Sequence, residues 1–324
     1  MSTTAVGDET EAAGRGVTFD VRTATPVVGL LAVCVYFAVR TPAFLQVTNL
    51  RNLLVVAAPL AITAAAMTLV ILVGEIDLSV GSVAALCAVA FALALANGMP
   101  LALAVVLTIA LGALIGAVNG TLTAYGRIPS FIVTLGMFSA AEGASFLVSG
   151  RQTIPITDLT FFALAYDARP LGVPVPGLYA LGTMLAVGIL LRYTAFGRSV
   201  YAVGGNPRAA SLSGVSAART KLKSFVLAGS LVALGGLAIA ARLASAKPDA
   251  APTLTLDAIA AVIIGGTSLM GGRGSVARTA LGVALIAVIT NGSNLLNIHA
   301  DVQFTIKGVI IIVAVLIDRL GSRS

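Results

Sequence analysis

Gly74-Glu75-Ile76-Asp77-Leu78-Ser79-Val80-Gly81-Ser82, read GEIDLSVGS, sets two carboxylates between long apolar runs. Residues 57–73 precede it, closing on MTLVILV, and residues 83–96 follow it. An ionised side chain at bilayer depth costs at least ~2.5–3.5 kcal/mol on insertion scales. Such acids are therefore tolerated at the end of a span, in a protein interior or beside water. Gly74 and Gly81 flank them, which suits a helix interrupted here better than one that runs through. Two readings stand. The stretch is a gate or pathway element between two half-spans, or it is a solvated loop in which Asp77 or Ser79 caps the next helix.

The setting is a membrane. Of 324 residues, 58% are hydrophobic and only 10% charged, against about 45–50% and about 25% for soluble domains. A spanning helix needs about 20 mainly apolar residues. Ten such segments are expected: residues 26–39 (or 26–44), 52–73, 79–97, 101–125, 130–148, 175–191, 222–244, a short one at 258–270, 275–296 and 302–320. Residues 1–25 read as a disordered cytoplasmic tail, without the pattern of a cleavable signal. Residues 26–320 form the membrane domain, and 321–324 a C-terminal tail. The short segment is tilted, re-entrant or extended by its polar flanks, because thirteen residues give only ~20 Å of helix. With the N-terminus inside and alternating spans, thirteen of the twenty Lys and Arg fall inside, six outside, and Lys307 within the last span. The bias puts both termini in the cytoplasm, and this explains the net charge of +7 without nucleic acid.

The chain also echoes itself. Residues 72–84 read LVGEIDLSVGSVA and residues 263–277 read IIGGTSLMGGRGSVA. Asn-Gly ends a later apolar stretch in each half, at Asn119 and Asn291. Matching interruptions in two halves point to a transport pathway at the repeat interface. The polar groups in or beside the spans are its candidate lining: Glu75, Asp77, Ser79, Gly81, Asn119, Thr134, Asn291 and Asn294. Each must find a hydrogen bond if buried.

Within the basic stretch 192–223, Gly205-Asn206-Pro207-Arg208-Ala209-Ala210-Ser211-Leu212-Ser213-Gly214 spells a short helix with marked ends. Asn206 suits the N-cap, Pro207 the first helical position and Gly214 a left-handed exit. It is either a docking knob for another subunit or an amphipathic helix lying on lipid. Enzyme signatures are missing. None of the four lysines follows a glycine, so there is no nucleotide phosphate loop. The lone histidine, His299, makes neither a catalytic set nor a metal site, and Cys34 and Cys87 lie in apolar runs as packing residues. Uphill movement of a solute by ATP would require another chain to hydrolyse it.

GEIDLSVGS, NGTLTAYGRIPSFIVTLGM (119–137), FGRSVYAVGGNPRAASLSGV (196–215), LDAIAAVIIGGTSLMGGRGSV (256–276) and NGSNLL (291–296), in this order, resemble the ribose-type sugar permeases of bacterial ABC importers. The likeness covers about residues 45–320. It implies an all-α polytopic plasma-membrane subunit, paired with a second copy or a sister permease, that imports a monosaccharide. The partners it implies are an ATP-binding cassette ATPase, which would bind the ATP and Mg, and an extracytoplasmic sugar-binding protein. The chain itself would hold no cofactor. The helix from Asn206 to Gly214 resembles the coupling helix of that family, which makes Gly205–Gly214 the ATPase contact. Thr255, Glu142 and Arg278 depart from the residues usual in the family, so specificity does not carry over. The rival reading is a proton-coupled secondary transporter that uses Glu75 or Asp77 as a relay.

Overall fold

A computed structural model describes residues 21–321. The expected tail therefore falls outside the described residues as far as residue 20, as do residues 322–324. The elements are α1 (Val21–Arg40), α2 (Val47–Leu72), α3 (Val80–Ala96), α4 (Leu101–Ala124), α5 (Ser130–Ser149), β1 (Ile154–Pro155), α6 (Leu159–Phe162), α7 (Val175–Tyr193), α8 (Ala195–Gly205), α9 (Pro207–Leu212), α10 (Ala217–Leu243), β2 (Ser245–Ala246), α11 (Leu254–Ile264), α12 (Val276–Leu295) and α13 (Ala300–Gly321).

Six of these, α2, α4, α5, α7, α10 and α12, are long and apolar enough to cross a membrane. The apolar part of α1 (Pro26–Arg40), α3 and α11 are shorter. The structure is mostly helical, with one two-residue strand pair, which is consistent with the all-α polytopic class expected from the sequence. At the short segment the helix is displaced: it runs Leu254–Ile264 rather than over 258–270. Its C-terminal end is set by Gly265 and by Gly266, whose φ of +84° a side chain would resist. Asp257, in the first turn, complements the helix dipole. Eleven residues give about 16 Å, roughly half of a ~30 Å hydrocarbon core, so the helical part of this segment is by itself too short to span it.

The packing has one axis. Residues 58–72 of α2 are buried without interruption. A helix apolar on every side belongs inside a bundle, and α10, α7, α12 and α11 surround it. Met67 and Val70 of α2 share one core with Phe225 and Val232 of α10. The helix α10 crosses α4 at glycines: a Cβ on Gly229 would overlap the Gly112 carbonyl oxygen, and one on Gly112 the Gly229 carbonyl oxygen. Small residues let backbones approach this closely in membranes.

The opposite surfaces of α4, α5 and α7 expose Leu103, Val106, Leu107, Phe131, Ile132, Leu135, Leu181, Leu185 and Ile189. A soluble monomer rarely exposes so continuous an apolar surface; lipid covers it here. At the end of α10 remote from α9, β1 and β2 pair antiparallel, with Ile154 opposite Ala246, and tie the loop after α5 to the end of α10.

Gly229→Val, which overpacks the α4–α10 crossing, is expected to destabilise the protein by about 1–3 kcal/mol. Gly182→Val, at a site with nothing within 4 Å of an added Cβ, is expected to change little. Thermal unfolding in one detergent compares the two.

Candidate functional site: two interrupted helices joined to a capped loop helix

Residues 73–79, between α2 and α3, are not helical, so their amides need partners from elsewhere. Gly74 and Glu75 N–H donate back to Ile71 O and Val70 O at 2.9 and 3.0 Å, and the start of α5 serves two further amides: Ile76 N–H donates to Ser130 Oγ at 3.1 Å, and Leu78 N–H donates to Thr134 Oγ1 at 3.0 Å. Asp77 turns back on its own chain. Its Oδ1 accepts from Ser79 N–H at 2.8 Å and Ser79 Oγ–H at 2.6 Å, and Asn119 Nδ2 donates to Ser79 Oγ at 3.2 Å. Gly81 N–H donates to Thr255 Oγ1 of α11 at 2.8 Å. Asp77 is 6% exposed, so the stretch is not a solvated loop; Asp77 holds Ser79, the residue before α3, and neither side chain caps that helix. Glu75, at the near end of the interruption, forms an ion pair with Lys221 of α10.

The second interruption, residues 265–275, solves the same problem with its own turns. Gly266, Gly271 and Gly272 take φ of +84°, +84° and +70°, and Ser268 N–H donates to Arg273 O at 2.9 Å. The two interruptions meet. Gly272 N–H donates to Leu72 O, the last residue of α2, at 2.9 Å. Gly204, near the end of α8, fits between them, where a Cβ would overlap the Leu72 carbonyl oxygen and lie 2.5 Å from Gly272 N. From the same helix, Tyr201 Oη–H donates to Gly274 O at 3.0 Å; burial pushes its phenol above the ordinary value, which keeps that proton on the oxygen.

α9 follows directly. Asn206 Oδ1 accepts from Arg208 N–H at 3.0 Å and Ala209 N–H at 3.1 Å, Pro207 opens the helix, and Gly214 leaves at φ +79°. Ala210 is buried, while Leu212 is 91% exposed. Met270, from the second interruption, is also 85% exposed.

The structure thus gathers Asp77, Ser79, Asn119 and Thr134 around one interruption, with Gly81 at its upper end and Glu75 at its lower end. It does not bring Asn291 and Asn294 there. Asn291 pairs reciprocally with Asn49 of α2 at 2.9 and 3.0 Å, and Asn294 Oδ1 accepts from Gln303 Nε2 at 2.9 Å. Sequence reasoning did not pair Lys307 with Asp257, which lie 2.8 Å apart and are each 13% exposed. Its one signal was a lysine within a span, which demands an anion. Nor did it foresee α8. Among the described residues no group of three His, Cys, Asp or Glu gathers to hold a metal.

Lipid-facing helices around a buried axis, two matched interruptions in contact and a rigid loop helix beside them define a polytopic membrane permease. The chain belongs to the family described as branched-chain amino acid transport system / permease component, which matches residues 49–315. It is 40% identical over 297 residues to the ribose import permease protein RbsC of Bacillus subtilis (strain 168), covering 91% of this chain and 92% of that one. The probable ABC transporter permease protein YphD of Escherichia coli (strain K12) is 42% identical over 260 residues, with 79% and 78% covered. The xylose transport system permease protein XylH of the same strain is 36% identical over 326 residues, with 79% and 81% covered. No solved structure matches the chain. The family read from the five motifs is therefore the right one. The chain is an ABC transporter permease subunit and not an enzyme, a multi-pass protein of the inner membrane.

The Glu75–Lys221 pair can be isolated by a double-mutant cycle. Glu75→Gln and Lys221→Met are each expected to lower thermal stability, and the double variant to recover part of the loss, with a coupling energy of about 0.5–3 kcal/mol. Unfolding of the four proteins in one detergent measures it.

Proposed function

We propose that this chain is the translocating subunit of an ATP-driven monosaccharide importer, and that α9 with its flanks, Gly205–Gly214, docks in the ATPase. The observation that carries the reading is the position of α9. Its apolar tip is free at Leu212, and its base at Gly204 is wedged between the ends of both interrupted helices. The relatives' names, ribose import and xylose transport, support a sugar as cargo.

In this reading ten segments lie in the membrane: the six long helices plus α1, α3, α11 and α13. Both termini and α9 are cytoplasmic, and the coupling loop spans residues 192–223. A second copy or a sister permease completes the pathway, an extracytoplasmic sugar-binding protein delivers the cargo, and the ATPase holds ATP and Mg. This chain holds no cofactor. Glu75, Asp77, Ser79, Gly81, Asn119 and Thr134 form the hinge of the gate, and Asn291 and Asn294 are the polar contribution of the second half. ATP binding draws the loop helices together. Because Gly204 contacts both interruptions, the pull reaches α2, α11 and α12 together, and access alternates. The proton-relay alternative is not favoured: Glu75 is held by Lys221 and Asp77 by Ser79, and the relatives include an ABC permease.

In vesicles holding the permease, its ATPase and its binding protein, sugar uptake is expected to require ATP and to ignore an imposed proton gradient. Uptake driven by that gradient without ATP would end this reading. Leu212→Asp adds a charge to an exposed site at no folding cost. It is expected to abolish co-purification of the ATPase while membrane insertion stays at the wild-type level.

A further inference from the structure

Beyond the gate there is a cavity that none of these assignments uses. It lies at the end of the bundle remote from α9, between α2, α10, α11, α12 and α13, and holds about 190 Å³. Pro59, Ile286 and Ala287 give it apolar walls, and Arg242, Asp257 and Lys307 give it charge. At roughly 30 Å³ per water it takes a handful of waters. It is below the ~300–1,000 Å³ of sites for drug-sized ligands, so it admits one sugar ring and not two.

Its polar groups are arranged in part and left open in part. Asp257 Oδ2 accepts from Lys307 Nζ at 2.8 Å and from Thr253 Oγ1–H at 3.1 Å. Both contacts use Oδ2, and Oδ1 has no partner among the described residues. Arg242 lines the cavity; its Nε has no partner among the described residues but is closed off from the open space, so the outer guanidinium nitrogens are the ones a ligand reaches. A charged group that lines a cavity without a protein partner is one that a ligand satisfies. A hydroxyl both donates and accepts, so one polyol meets the open carboxylate oxygen and the open guanidinium together. Asp257 is already paired with Lys307, so Arg242 is the free charge of the lining among the described residues, and the choice of a neutral ligand rests on the sugar-importer reading.

We infer that this cavity is an intramolecular station for a single neutral monosaccharide, oriented by Arg242 and Asp257, with Lys307 and Thr253 as positioning residues. The inference rests on the sugar-importer reading and deepens it. The station is joined mechanically to the docking loop. Asp257 sits in the first turn of α11, about 10 Å of helix from its end at Ile264, and residues 265–270 lead on to Gly271 and Gly272, which contact Gly204 and Gly205. A displacement of α9 thus moves Asp257 relative to Arg242 on α10 and releases the ring.

The test uses the full importer in vesicles, with labelled D-ribose and D-xylose as probes and wild type, Arg242→Gln and Ala250→Phe as permeases. Ala250 lines the cavity outside the ion pair, so its phenylalanine fills the space and leaves the charges in place. Each variant is expected to lower the maximal uptake rate about tenfold or more, the scale of one lost charge-assisted hydrogen bond. Association with the binding protein and sugar-free ATP turnover should stay within about twofold. Wild-type uptake rates in both variants would overturn the station while leaving the importer reading intact. If Arg242→Gln fails to assemble, Ala250→Phe decides alone. Wild-type uptake of neither sugar, with D-gluconate carried instead, would overturn the neutral-sugar reading and the station with it.

Discussion

Gly272 N–H to Leu72 O is one hydrogen bond, but the rest of the architecture is arranged so that it can form. It joins the end of α2 to the second interruption, and it forms only because no side chain intervenes at Gly204, Gly271 or Gly272. Within a bilayer there is no hydrophobic gain between helices, so close backbone approach and interhelical hydrogen bonds carry association. Three segments distant in sequence meet at this point without a cushion of side chains. Close-packed contacts transmit displacement instead of absorbing it. α9 follows directly from this junction, so in the coupling proposed above a six-residue helix bears on helices four times its length.

Interrupting helices inside a membrane protein leaves amides that nothing local satisfies, and the two halves answer differently. The first borrows side chains: Ser130 and Thr134 from α5, and Thr255 from α11. The second folds glycines into left-handed turns and bonds to itself. The sequences echo each other while the hydrogen-bonding partners do not. The first interruption is thereby bound to α5 and α11, whereas the second is bound to α2 and α8.

The sequence carried the class, most helix limits and α9. Apolar runs state their own length, and Asn206, Pro207 and Gly214 are local signals whose physics needs no neighbour. Gly74 announced the first break for the same reason. Contacts across sequence were not legible. Nothing within residues 300–310 names Asp257 as the partner of Lys307, fifty residues away, and nothing in the glycine-rich run states that it meets Leu72. The start of α11 was misplaced by four residues because its first turn, Leu254–Asp257, is polar in part and reads as loop until the dipole and Lys307 are taken into account. Asn119 and Asn291 matched as echoes, yet one bonds Ser79 and the other Asn49.

Two ion pairs stand at opposite ends of this interior, Glu75–Lys221 beside α9 and Asp257–Lys307 at the far end. Such pairs contribute little net stability, because removing two ions from water costs about as much as their attraction returns; breaking one is severe, because a bare charge remains. Their effect is to fix register. The first ties the lower end of one interruption to the start of α10, and the second ties the start of α11 to α13. A conformational change that moves α2 and α11 against α10 and α13 must either carry both pairs along or give each ion a replacement partner. Arg242 is the one cation that lines the far cavity without an ion-pair partner among the described residues, and this places the replacement at that end.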